Sequence, residues 1–456
     1  MVRLEGFEPP TLGSVDRCSN PLSYSRSDTR SPIVVPGGRD ASRVKPPHPG
    51  TDRYHAVMDD TFADSLAQLW RRARDPMMDL RHDLHAYPEL SFHEHRTTAV
   101  IRERLVTLGW ELAPCPTETG AVATLRGAQA GRRVMLRADI DALPVHEERP
   151  GPHASRHDGV MHACGHDVHT AALLAVADLL AQRRDALAGE YTLVFQPAEE
   201  ALGGARAMID GGLLIDHPAD VILGAHVTSL APVGLVATRP GTLMSAANAI
   251  TVHLTGRGGH GAMAQVEGNV VLALSHLVPR LGEVVAGLSF EGTDCACSAG
   301  VVRAGTANNV VPRVATALGT LRTFTPDHLD VALERLRRLV AEVGSAFGVA
   351  ASFELGESAP AVVNDTAVVA RVLDVAARLV GHDAVLVTPP VAPSDDVAEL
   401  LGRVAGCYLF VGGALADGSS GMHHGPDFAV DDEACRVAAE VLATSAVELA
   451  HEHPQG

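Results

Sequence analysis

Apolar positions recur at helical spacing from Thr61 onward, as Phe62, Leu66 and Leu69, and a second helix is expected from about Pro76 through Leu84. Helical periodicity returns over Glu94 to Leu108 and is followed by the strand-like run Arg133-Val-Met-Leu-Arg-Ala138. Another helix is expected directly after His166. A strand at Tyr191-Thr-Leu-Val-Phe195, a helix around Gly204 to Ile209 and a strand at Val221-Ile-Leu-Gly-Ala225 complete the series. Strands alternating with helices predict an α/β domain with a largely parallel sheet.

The pattern changes between about Ala246 and Phe353. Strand-like Ala249 to Leu254, Cys297 to Val302 and Ala315 to Arg322 surround two helices, one starting near Asn269. The other has Thr325 as N-cap and Pro326 in its first turn, with Leu329, Leu333, Leu336, Val340, Val343 and Phe347 on one face. The order β-α-β-β-α-β is that of a ferredoxin-like unit. A helix–strand pattern resumes from about Asn364. The expected organisation is therefore a disordered, Pro-rich extension over 1–57, a catalytic domain in two parts over 58–245 and 355–456, and an inserted α+β domain over 246–354. Met58, just ahead of the first helical pattern, is an alternative translation start.

Composition narrows the chemistry. The 37 basic against 55 acidic side chains give a net charge of −18, which excludes nucleic acid as the main partner. Lys45 is the only lysine and lies in the Pro-rich stretch, so Schiff-base and P-loop chemistry are excluded from the folded region. Seven cysteines, an odd number in a long chain, do not form a disulfide framework and fit a reducing cytoplasm. No membrane span is expected, because the most apolar helical run, Ala171 to Ala181, is short and contains Asp178.

The 23 histidines offer metal ligands and proton carriers. In Met161-His-Ala-Cys-Gly-His-Asp-Val-His169 a thiolate donor, Cys164, and an imidazole, His166, flank one glycine at a helix start. That set suits Zn, Mn, Co or Ni, although Cys-x-His alone reads equally as a capping loop. Further donors stand at the ends of strands, where open α/β sheets place their sites: Asp139 and Asp141, Glu199 and Glu200, and His226. In an extended segment Glu199 and Glu200 would point to opposite sides, one toward a metal and one toward an attacking water; a solvated acidic turn is the plain alternative. His423 and His424 sit in a glycine-bounded loop that is either a ligand source or surface. His260, inside Gly256-Arg-Gly-Gly-His-Gly261, is either part of a flexible hairpin or an oxyanion-stabilising side chain.

Four of these segments occur in an order that resembles the aminoacylase and carboxypeptidase-type metallo-amidohydrolases, which include hippurate and indole-acetyl-amino-acid hydrolases. They are Arg137-Ala-Asp-Ile-Asp-Ala-Leu-Pro144, Met161-His-Ala-Cys-Gly-His-Asp167, Gln196-Pro-Ala-Glu-Glu200 and Gly258-Gly-His-Gly-Ala-Met263. The resemblance runs from about Asp75 to the C-terminus. It implies a zinc-peptidase-like catalytic domain holding two divalent ions and an inserted lid that dimerises. It places Cys164, His166, Glu200, His226 and His424 on metal-ligand positions, His424 through its His-Gly-Pro-Asp-Phe428 context, with His423 competing. Glu199 falls on the general base, Asp141 on the acid that orients the site, and His260 on a lid histidine reaching the substrate across a dimer. Asn309 and Arg322 match lid positions that bind the substrate carboxylate. The implied activity is hydrolysis of N-acyl amino acids; a dipeptidase, a carbamoyl-amino-acid hydrolase and an inactive binding relative are the alternatives. Two departures, Ala264-Gln265 after the lid glycines and Asp395-Asp396-Val397 in place of Glu-Asp-Phe, fall where the acyl or side-chain pocket is expected.

Overall fold

The computed structural model describes residues 74–263 and 266–452. The expected extension over 1–57, the helix at Phe62 to Leu69 and the departure at Ala264-Gln265 lie outside the described residues. In chain order the catalytic elements are α1 (74–86), α2 (His95–Thr107), β1 (Glu111–Ala113), β2 (Ala121–Arg126), β3 (Gln129–Asp139), α3 (His166–Ala181), β4 (Ala188–Gln196), α4 (Gly204–Asp210), β5 (Val221–Pro232) and β6 (Val236–Thr238). The inserted region contributes β7 (Ala246–Thr255), α5 (Val270–Leu277), β8 (Ala296–Ala304), β9 (Val314–Thr323), α6 (Pro326–Phe347) and β10 (Ala350–Ala359). The chain then returns through α7 (Thr366–Val380), β11 (Val385–Val387), β12 (Gly406–Ala414) and α8 (Glu433–His451).

Eight strands form one sheet in the order β1-β2-β4-β3-β5-β12-β6-β11. Its centre is parallel, β4 with β3, β3 with β5 and β5 with β12. Antiparallel β1 and β2 extend one edge. Burial on both faces explains the unbroken apolar strands. Val134, Leu136, Leu193, Leu223 and Leu409 pack on one face beneath α3 and α8, while Met135, Val194, Ile222 and Tyr408 enter a second core on the other. Helix α3 is buried almost all round between sheet and α8, so its sequence is apolar on every side.

The inserted strands form a separate antiparallel sheet in the order β8-β9-β7-β10, the ferredoxin-like arrangement. Its own core is built from Val252, Leu254, Leu274, Leu336 and Val340 among others. Both expected helix starts are capped as the sequence implies. Thr325 accepts from the His328 amide at 3.2 Å, and Asn269 Oδ1 accepts from Val271 and Leu272 at 3.0 and 3.2 Å. Strand β10 continues past residue 354, paired with β7 as far as Ala359 opposite Ala247.

Candidate metal centre

The three central strands β4, β3 and β5 lie side by side, so the segments that follow Gln196 and Asp139 meet His226. His226 lies within β5 rather than beyond its end. Gly165 starts α3 with φ +87, and a Cβ there would stand 2.4 Å from Val227 Cγ1; only glycine lets the Cys164–His166 loop close against β5.

Cys164, His166 and His226 converge, and so do Cys164, Glu200 and His424, giving two adjoining groups that share the thiol. Sγ of Cys164 is 3.5 Å from His226 Nε2, and His424 Nε2 is 3.4 Å from Glu200 Oε1. His166 Nε2 stands 3.9 Å from Glu199 Oε2 and 3.8 Å from Glu200 Oε1. Each imidazole is held from behind. His166 Nδ1 donates to the Asp141 carbonyl at 2.9 Å, and His226 Nδ1 to the Val227 carbonyl at 2.7 Å. A carbonyl only accepts, so both rings carry a proton on Nδ1, and Nε2 is the nitrogen left to face a cation. His423 differs. Its Nε2 accepts the Ser229 amide at 3.3 Å, which leaves a protonated Nδ1 facing Cys164 at 3.7 Å.

Two atoms test whether cations fit. His166 Nε2 and Glu200 Oε1 are buried without any hydrogen-bond partner, a costly state for a lone pair and a carboxylate oxygen in the absence of a cation. Asp141, Glu199 and Glu200 stand around His166, and three further carboxylates nearby, of Asp139, Asp395 and Asp396, share one buried guanidinium, Arg137. Thiol, imidazole and carboxylate together suit borderline divalent ions. The residues fit a metal.

Glu199 and Glu200 are not in an extended segment, contrary to the expectation. They occupy a turn in which Ala198 has φ +53, and both carboxylates reach the same cluster as His166. Strand geometry is overridden because Asp141 accepts both amides, Glu199 N to Oδ1 and Glu200 N to Oδ2, each at 3.1 Å. Ser91 Oγ donates to the same carboxylate at 2.7 Å. Burial first, then the charges of Asp395, Glu200 and Asp396, push the Glu199 carboxyl well above its usual range, against His166. The Cys164 thiol first and then the Glu200 carboxylate, both beside its ring, lift His424 to about 10, whereas burial and neighbouring histidines hold His226 well below its ordinary value.

Beneath Glu199 lies a network with no counterpart in the expected site. The two-residue period that sends Met135 to the second core also sends Arg137 and Asp139 there. Arg137 donates to Asp139 at 2.7 Å, Gln196 at 2.8 Å and Asp396 at 3.1 Å, and Tyr408 Oη donates to Asp395 at 2.5 Å. Asp395 and Asp396, expected at the acyl pocket, are instead fully buried around this guanidinium. Asp139 also receives the Nδ1 proton of His169 at 2.5 Å, and His169 Nε2 accepts the Val227 amide.

The lid residues divide. Arg322, at the end of β9, donates to Ser394 Oγ at 2.5 Å and is close enough to feel the charge of Glu199. His260 and Asn309 are exposed on a two-stranded ribbon where His260 pairs with Val310 and Gly261 N donates to the Asn309 carbonyl at 2.7 Å. Among the described residues neither has a hydrogen bond or ion pair to the candidate metal cluster.

Residues 135–448 match the description of peptidase family M20/M25/M40. The sequence is 35% identical over 376 residues to an N-acetyl-L-cysteine deacetylase of Bacillus subtilis, covering 82% of this chain and 88% of that one. It is also 35% identical over 309 residues to an N-acyl-L-amino acid amidohydrolase of Geobacillus stearothermophilus, covering 66% and 81%. The fold superposes with a TM-score of 0.70 on the YXEP protein of Bacillus subtilis, described as a dinuclear metal-binding peptidase, at 31% identity over 83% of this chain and 99% of that one. Site, fold and sequence agree that the chain belongs to the M20 peptidase family. It is a hydrolase acting on amide bonds.

Proposed function

We propose that the protein releases amino acids from their N-acyl derivatives, using two divalent ions held by Cys164, His166, Glu200, His226 and His424. The observation that carries this reading is the pair of buried, unpartnered atoms, His166 Nε2 and Glu200 Oε1, converging with Cys164, His226 and His424 beside Glu199. His424 is preferred to His423 because the latter's Nε2 is engaged by the Ser229 amide. Bound ions of the Mn, Zn, Co or Ni type would supply Lewis acidity, lowering the pKa of water and polarising the amide carbonyl. Glu199 takes the proton from the attacking water and returns it to the leaving nitrogen. Asp141 holds His166 and the Glu199–Glu200 amides in place. Arg322, half-buried at the lid edge, pairs with the carboxylate of the amino-acid portion. His260, with Asn309, comes from the lid of a second copy, and the working unit is a homodimer.

The six described cysteines are free, which supports a reducing, cytoplasmic location. No described helix is long and apolar enough to cross a membrane. The test is release of free amino acid from a panel of N-acyl amino acids with Mn, Co or Zn supplied. Glu199→Ala is expected to keep its metal and lose at least about 100-fold in kcat; undiminished turnover in that variant would remove Glu199 as the base.

A further inference from the structure

The turn that presents Glu199 and Glu200 is gripped from two sides. Asp141 takes their two amides, as described. The preceding amide, that of left-handed Ala198, donates to Glu94 Oε1 at 2.9 Å. Glu94 is fully buried and lies 104 residues away in sequence. The same Oε1 accepts the amide of Phe92, another left-handed residue, at 3.0 Å, and Oε2 accepts Thr119 Oγ at 2.6 Å.

Glu94 occupies the N-cap position of α2, yet its side chain makes no capping bond. The helix start is served instead by Glu89, which accepts the Arg96 and Thr97 amides at 3.0 and 2.8 Å. A carboxylate placed where it could stabilise its own helix is turned away from it, toward a backbone amide beside the candidate base. Its three bonds join three separate segments, 92–94, 119 and 198, at one point under the turn. The Thr98 hydroxyl adds a second tie by accepting the Gly120 amide at 2.7 Å.

We propose that Glu94 is a positioning residue for the catalytic turn: its carboxylate fixes the Ala198 amide and thereby sets where the Glu199 and Glu200 carboxylates stand. This rests on the reading of Glu199 as base and Glu200 as ligand. Glu94 touches neither substrate nor metal; it acts through acceptor geometry. Glutamine can reproduce that geometry, keeping Oε1 for the two amides and offering Nε2 to the Thr119 oxygen. Alanine cannot.

The experiment compares Glu94→Ala, Glu94→Gln and Thr119→Val with the parent, with Glu199→Ala alongside. It measures kcat, KM, thermal unfolding and the affinity of the metal-stripped protein for Mn²⁺ by calorimetry. Glu94→Ala is expected to lower kcat about 30-fold or more, the scale of a base displaced by a fraction of an ångström to an ångström. KM should stay within about threefold, because binding of the substrate is not what the turn supplies. Mn²⁺ affinity should fall about tenfold through Glu200. Glu94→Gln should recover both kcat and Mn²⁺ affinity to within about fivefold of the parent, and Thr119→Val should lie between. The last two variants keep the buried site filled, so they carry the test if Glu94→Ala does not fold. Parental kcat and Mn²⁺ affinity in Glu94→Ala would overturn the proposal. So would a glutamine variant no better than alanine, or losses that only follow the fraction of folded protein. If Glu199→Ala retains turnover, the reading of the base fails; if it is inactive while Glu94→Ala is fully active, only the role of Glu94 fails.

Discussion

His85 shows how a side chain away from the candidate metal ligands is tied into the helix that begins with one of them, His166. Its Nδ1 is 3.0 Å from Asp167, the residue after His166, and its Nε2 is 3.4 Å from Glu147. Asp167 is also bound by Arg81 at 2.9 Å. Burial pulls His85 down, but the Asp167 charge and the bonds to Asp167 and Glu147 outweigh it and lift the imidazole to about 9, from an ordinary 6.5. A raised histidine stabilises the fold fully below its unfolded value and loses that contribution as pH rises through the folded one. Between pH 6.5 and 9.5 the parent should therefore lose more of its melting temperature than His85→Gln does. Parallel melting curves across that range would show that the pair contributes nothing to stability.

At the scale of elements, the start of α3 carries both a chemical and a packing constraint. Gly165→Ala would force a left-handed alanine and drive its Cβ into Val227 Cγ1. A loss of at least about 2 kcal/mol in unfolding free energy is expected from the two effects together, measured by denaturant unfolding; less than half of that would mean that the loop and β5 relax apart easily. What the sequence discloses follows the same division between local and distant causes. Caps at Thr325 and Asn269, the apolar face of α6 and the Cys164-Gly-His166 junction are local signals and can be read directly. Strand β2 is weakly marked because its inward positions Ala121 and Ala123 are small. The turn at Glu199–Glu200 was expected as extended chain, since nothing in Gln196-Pro-Ala-Glu-Glu200 shows that Asp141 and Glu94, far away in sequence, will claim its amides. Arg137 and Asp139 are visible in a motif, but their partners Asp395, Asp396 and Tyr408 are brought to them only by the sheet order.

For the whole molecule, the exposed ribbon bearing His260 and Asn309 is where the proposed second copy is tested. If each lid serves its partner's site, a twofold dimer mixed from His260→Ala and Glu199→Ala subunits has one intact site per hybrid. Equal mixing after dissociation and reassociation should restore about a quarter of the parental rate, half of the dimers being hybrid with one working site of two. No recovery from mixed subunits that are shown to exchange would place His260 in its own chain's site, and full activity of His260→Ala by itself would place it outside catalysis.

Left-handed backbone at residues other than glycine is concentrated here. Among the described residues it occurs at Phe92, Ala198, Leu202 and His424, around the metal-ligand cluster, and at Glu291 in the inserted region. Each costs about 1–2 kcal/mol relative to a relaxed conformation. Variants selected only for heat resistance would therefore find some of their easiest gains, glycine at Leu202 or Phe92, beside the groups proposed to perform hydrolysis. Thermostability and turnover are set against each other in one small region brought together from distant parts of the chain, and a search that scores the first alone would tend to erode the second.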